Sequence, residues 1–261
     1  MTSLTEAQIV DQWRRIDQVA SLLAQRLGSQ DGFAVAPGSQ LARDDADTYP
    51  YHVSTAIALA ISAAVDHLHG LCILALHSGW LHLSATASLA RGALECASAA
   101  VWISCVDDGD ERLTRALRWH IADIKDGDRA AKTANVPIPT SLETRKAKVA
   151  GVAARRALKF STIGAGYQSS EAVKAADAYL QLQQLSTGVH TPWQMASGFA
   201  HGRSWSRLAD ESILTKTPTE DPDVSNVKME PNLGRLLYLA LPAEQATSGA
   251  VRLFDRLAKV R

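Results

Sequence analysis

Residues 80–103 read WLHLSATASLARGALECASAAVWI. Laid out at about 100° per residue, Ser84, Ser88, Arg91, Glu95 and Ser98 fall in one narrow stripe, and the rest is almost all Ala, Leu, Val, Ile, Gly or Cys. The period is that of a helix buried on most of its surface. Arg91 and Glu95, four residues apart, allow two readings. They are an exposed pair of the kind common at that spacing, or a buried pair that must be hydrogen-bonded to tolerate desolvation. The second reading makes them a structural anchor or the floor of a polar site.

The same three-and-four spacing of apolar residues continues in both directions, and no alternating β-branched run interrupts it. The fold class is therefore all-α, a bundle of about eight or nine helices around a central Ala/Leu-rich pair between His52 and Val106, broken near Gly70 and Ser78-Gly79. Upstream, a first helix spans Thr5 to Leu27 with Ile9, Trp13, Ile16, Val19, Ala20 and Leu23 as its apolar stripe, and Gly28 to Pro50 reads as a loop. Downstream, helices are expected over Glu111–Ala134, Thr140–Lys159 and Ser169–Leu185, with Asp107 to Asp110 supplying acids at a helix start and Val136 to Pro139 a stop. One domain covers 1–261: the first helix (1–27), a core bundle (51–209), a proline- and acid-rich linker (210–231) and two closing helices (232–261) divided at Pro242.

Composition narrows the function classes. Lys and Arg total 27, as do Asp and Glu, so no global field favours nucleic acid or anionic lipid. Cys72, Cys96 and Cys105 match neither a zinc ribbon nor a disulfide framework and read as buried thiols of a reducing, cytoplasmic compartment. The N-terminus carries charges where an export signal needs an apolar core, and Val53–Val65 is too short an apolar run to span a bilayer, so no membrane is expected.

Four motifs hold the candidate chemistry. Ser62, Asp66 and His69 share a face, where a carboxylate one turn from an imidazole fixes its tautomer and raises its pKa. The Glu-x-x-His spacing of di-iron bundles is absent, so neither a metal nor a cofactor is expected. In WQMASGFAHGRSW, residues 193–205, Thr191-Pro192 reads as a capped helix start with Gln194 closing a capping box. On that helix Gln194, Ser197, His201 and Ser204 form a polar stripe, and Gly198 and Gly202 leave a smooth patch for a close crossing. Arg115-Ala-Leu-Arg-Trp-His120 has an arginine and a histidine at nuclease-like spacing, and Arg145, Lys146, Lys148, Arg155, Arg156 and Lys159 against Glu143 form the one local basic patch.

Together, LARGALE (Leu89–Glu95) and SGFAHG (Ser197–Gly202) resemble an LxRxxxE-like helix and an SxxxHG-like helix that recur in a set of uncharacterised bacterial helical proteins of HEPN-like type. The resemblance implies that Arg91, Glu95 and His201 meet in the bundle core. The main expectation is a polar cluster of Arg91, Glu95, Ser197 and His201 serving structure or a small-molecule ligand. The competing class is a HEPN-like metal-independent ribonuclease with Arg115 and His120, or His201, on the scissile phosphate of RNA. A third is an oligomeric, partner-binding protein, with a homodimer as its simplest form.

Overall fold

The computed structural model describes residues 4–186, 188–208, 213–221, 223–229 and 231–260. Among them eleven helices stand against a single two-stranded hairpin, so the fold is the all-α bundle that the periodicity predicts. The central pair is α3 (Val53–Leu76) and α4 (Leu83–Ser104), joined by residues 77–82 and packed along each other. Their inward sides are covered: Ile57, Ile61, Val65, Leu68, Leu94, Trp102 and Ile103 sit in the core. Gly70 does not break α3, because an isolated glycine costs a helix interior only about 1 kcal/mol.

Helix α1 (Glu6–Leu27) begins at a capping box between Thr5 and Gln8 and buries Trp13, Ile16 and Ala20 against α3 and α11 (Leu233–Ala258). Trp13 Nε1 donates to the Leu233 carbonyl at 2.9 Å, which fixes the two helices at one end; Arg26 pairs with Asp255 at the other. The stretch after Gly28 is not wholly loop. Ser39 Oγ accepts from the Ala42 amide and starts α2 (Gln40–Thr48), a short helix that turns Leu41 and Asp44 inward.

Helices α5 (Gly109–Thr133), α6 (Leu142–Ala154) and α7 (Phe160–Ala165) enclose a second, smaller core of Leu117, Ile121, Val149, Val152, Ala153 and Ile163. Asp108 caps α5 and Ser141 caps α6. The basic helix expected over Thr140–Lys159 ends at Ala154, because the chain turns at Arg155–Leu158 with Ala157 at φ 53°, and α7 occupies part of the expected loop after it. Helix α8 (Ser169–Leu182) and α9 (His190–Ala200) then cover α4. Between α9 and the hairpin lies the short α10 (Ser204–Leu208).

Two boundaries differ from expectation for physical reasons. The closing segment is one helix, since α11 runs straight through Pro242. Proline removes the donor to the Tyr238 carbonyl at a cost of about 3 kcal/mol. Leu236, Leu237, Leu239 and Ala240 before it, and Ala243, Ala246 and Ala250 after it, bury enough apolar surface to outweigh that cost. The expected linker holds β1 (Ile213–Pro218) and β2 (Ser225–Met229), paired antiparallel; the rest of it falls partly outside the described residues.

Candidate functional site

The stripe on α4 runs from solvent into the core. Ser84 and Ser88 are exposed, Arg91 and Glu95 are half-buried, and Ser98 is wholly buried. Arg91 Nη2 and Glu95 Oε2 lie 3.1 Å apart, and Trp193 Nε1 donates to the same Glu95 oxygen at 3.1 Å. Tyr167 leans on the stripe, with its ring edge-on to Trp102 and Trp119. Burial, and then the neighbouring Glu95 and Cys96, push its phenol well above the ordinary value. Arg91 Nε, Ser98 Oγ and Tyr167 Oη are buried without a hydrogen-bond partner. The pair is thus neither a plain solvent face nor a fully sequestered anchor.

His201 does not join it. Helix α9 is not capped by Thr191: its N-cap is Val189, with no side-chain cap of its own. Asp177 of α8 supplies the acceptor instead, its Oδ1 taking the Val189 amide at 2.5 Å and the His190 amide at 3.3 Å. The helix ends at Ala200, where Gly202 adopts φ 65°. The Arg203 amide returns to the Gly198 carbonyl and the Gly202 amide to Phe199, a Schellman closure. His201 therefore sits at the C-cap, exposed, with its ring bonded to none of the described residues, while Ser197 is half-buried and Gln194 exposed. Trp193, about two turns earlier, is the α9 residue that reaches Glu95. Of the two glycines, only Gly198 meets a close neighbour: a Cβ there would stand 2.5 Å from Ser206 Cβ, whereas one on Gly202 would meet nothing within 4 Å.

Arg115 and His120 are about 140° apart around α5 and take different neighbours. Arg115 Nε pairs with Glu111 at 2.7 Å and its Nη1 donates to the Trp102 carbonyl at 2.6 Å. His120 Nε2 lies 3.1 Å from the His52 carbonyl, beside the Tyr51 ring. Burial lowers its pKa against the smaller opposing effect of that hydrogen bond. At neutral pH it is a neutral, structurally engaged imidazole.

The remaining motifs resolve as follows. Asp66 is exposed and His69 half-buried, and no hydrogen bond or ion pair joins them. Their neighbour His67 packs its ring against Gly92, where a Cβ would come within 2.6 Å. Three of the six cations of the basic segment are ion-paired, Arg145 with Asp128, Lys146 with Glu143 and Arg156 with Asp47 and Asp110, while Arg155 donates to the neutral Tyr49 carbonyl. The three thiols are unpaired; burial lifts Cys72 to about 12 and Cys96 to about 11, so neither is a thiolate at neutral pH. Among the described residues no cluster of three or more His, Cys, Asp or Glu side chains is placed to hold a metal ion.

One site escaped sequence reasoning. A cavity of about 570 Å³ opens where the N-terminus of α2 meets the C-terminal ends of α4 and α11. It is lined by Arg43, Arg256 and Lys259, and Arg112 lies at its floor. Arg112 is spent on buried Asp44, but Arg256 and Lys259 have no hydrogen bond or ion pair with the described residues. Arg43 is held only by neutral acceptors, the Gly38 carbonyl at 2.8 Å and Gln40 Oε1 at 3.0 Å. Among the described residues Asp107 is the single carboxylate in the lining. The contributors are scattered from residue 38 to 260, so no local motif announces them. Comparison with family models, with curated proteins and with solved structures finds no match to the chain.

Proposed function

We propose that the chain is a small-molecule-binding helical protein whose ligand is an anion held in the cavity between α2, α4 and α11. The observation that carries this reading is the excess of positive charge there: among the described residues Arg43, Arg256 and Lys259 face one cavity against Asp107. Like charges gathered around one recess repel, and a ligand bearing two or more negative charges removes that repulsion. The positive start of α2 is opposed by the negative C-terminal ends of α4 and α11 at the same cavity, so the excess rests on the three cationic side chains. Arg43 and Arg256 supply the planar donors that suit carboxylate or phosphate oxygens.

The test is a thermal-shift and calorimetric titration of the full chain with inorganic phosphate, pyrophosphate, citrate and a neutral sugar, at ionic strength matched with chloride. At least one anion is expected to raise the melting temperature in proportion to the logarithm of its concentration. The effect should vanish in Arg256→Ala/Lys259→Ala and persist in Arg91→Ala/Glu95→Gln. No response to any of the anions, or a response that survives the cavity variant, overturns the reading. Loss in the Arg91→Ala/Glu95→Gln protein alone moves the ligand to the α4 stripe.

A further inference from the structure

Along the outer side of α3, Leu59, Asp66 and Ile73 stay exposed among the described residues, and we infer that this side is the contact between two copies of this protein, packed antiparallel along that helix. Its central stripe runs through Leu59, Ser62, Asp66, His69, Ile73 and Leu76, of which Leu59, Asp66 and Ile73 are exposed and Ser62, His69 and Leu76 half-buried. They alternate strictly by three and four positions. That spacing keeps the stripe on one line along the helix, as the seam of a two-helix supercoil requires, and three of its six positions are apolar. Leu59 is 60% exposed and Ile73 47% exposed. Beside the seam, half-buried Ala63 presents only a methyl group to a second helix.

Charge complementarity commits the face to a second copy and sets its register. Asp66 and His69 have no hydrogen bond or ion pair with any described residue. An antiparallel copy centred between His67 and Leu68 puts Asp66 of one chain against His69 of the other, and twofold symmetry makes that pairing twice. The same register sets Leu59 against Leu76 and Ser62 against Ile73. Sliding by one heptad places Asp66 opposite Leu76 or Ser62 and leaves both carboxylates unpaired. Lipid is a poorer occupant. Although α3 is long and apolar enough to cross a membrane, five helices pack on it and a carboxylate stands midway along its open stripe.

Light scattering on the full chain tests the proposal, and the expected mass is twice the 28.0 kDa of one chain. Leu59→Glu and Ile73→Glu should each halve that mass while leaving the far-ultraviolet circular dichroism unchanged. Register is read by oxidation: Ser62→Cys mixed with Ile73→Cys should cross-link, whereas Ser62→Cys alone, like the wild type, should not. If a glutamate variant unfolds, the cross-linking pair still decides. A wild-type monomer overturns the proposal, as does a dimer indifferent to Leu59→Glu or a self-cross-linking Ser62→Cys. A monomer that floats with phosphatidylcholine vesicles gives the face to lipid instead.

Discussion

Arg112 and Asp44 form a two-pronged ion pair inside the protein, Nε to Oδ2 at 2.6 Å and Nη2 to Oδ1 at 3.2 Å, each side chain 2% exposed. The remaining valences are also used. Arg112 Nη1 donates to the Val106 carbonyl at 2.8 Å, and Gln40 Nε2 donates to Asp44 Oδ1 at 2.8 Å. The pair pins α2 to the start of α5 and forms the floor of the cationic cavity without adding to its charge.

Removing either partner strands a charge in the core. Arg112→Leu and Asp44→Ala are each expected to destabilise the protein by about 3–5 kcal/mol. Replacing both, Arg112→Met with Asp44→Leu, should recover much of the loss, because the desolvation penalty of two ions disappears together with their attraction. Urea denaturation of the four proteins gives the coupling energy. Additive single-variant losses would show that the two side chains do not act as a unit.

His120 gives the stability of the protein a pH dependence of definite sign. Its folded-state pKa lies below the ordinary 6.5 because burial disfavours the imidazolium. Below that value the unfolded chain takes up a proton that the folded chain refuses, so stability is complete above about 6.5 and falls with pH until the folded-state pKa is passed. In His120→Gln the melting temperature should fall less between pH 7.5 and 5.5 than it does in the wild type. An equal fall in the two proteins would assign the acid limb to other groups.

The central helices were legible in the sequence because burial imposes a period there. Between Val53 and Ser104 almost every inward position is Ala, Leu, Ile or Val, and the spacing alone fixes which face is covered. Partners distant in sequence were not legible. Nothing around Arg112 distinguishes it from Arg115 or Arg118, yet it pairs with Asp44, 68 residues away, and they do not. The start of α9 misled for a related reason: Thr191-Pro192-Trp193-Gln194 is a sound local cap signal, but Asp177 on another helix supplies the acceptor two residues earlier. His201 was misplaced separately, because the helix was carried past its end at Ala200 and over Gly202, whose φ of 65° closes it.

Gly198 and Gly202 separate two roles that one spacing seemed to share. In Gly198→Ala the new methyl would meet Ser206 Cβ at 2.5 Å and Trp205 Cζ2 at 2.7 Å, so α10 must move off α9. Gly202→Ala meets nothing, but it forces alanine into a left-handed conformation at a cost of about 1–2 kcal/mol. Trp205 fluorescence should therefore change in Gly198→Ala and stay native-like in Gly202→Ala, with both less stable to urea than the wild type. The reverse pattern would place the close approach at Gly202.

Tyr167 and Ser98 carry hydroxyls in the wall of the α4 stripe that have no hydrogen-bond partner, and their removal makes the last prediction. The Tyr167 ring is well placed: its centroid lies 4.8 Å from that of Trp119 and 5.7 Å from that of Trp102, both edge-on. Such contacts belong to the ring and survive loss of the oxygen. A buried polar atom without a partner costs about 1–3 kcal/mol relative to one left in water. Tyr167→Phe and Ser98→Ala should hence leave stability to urea unchanged or raise it by about 1 kcal/mol each. Trp119→Ala, which deletes a ring contact, should lower it by about 3 kcal/mol. A clear loss in Tyr167→Phe would show instead that the phenol is hydrogen-bonded in solution, and would make the Glu95, Trp193 and Tyr167 groups one connected polar network.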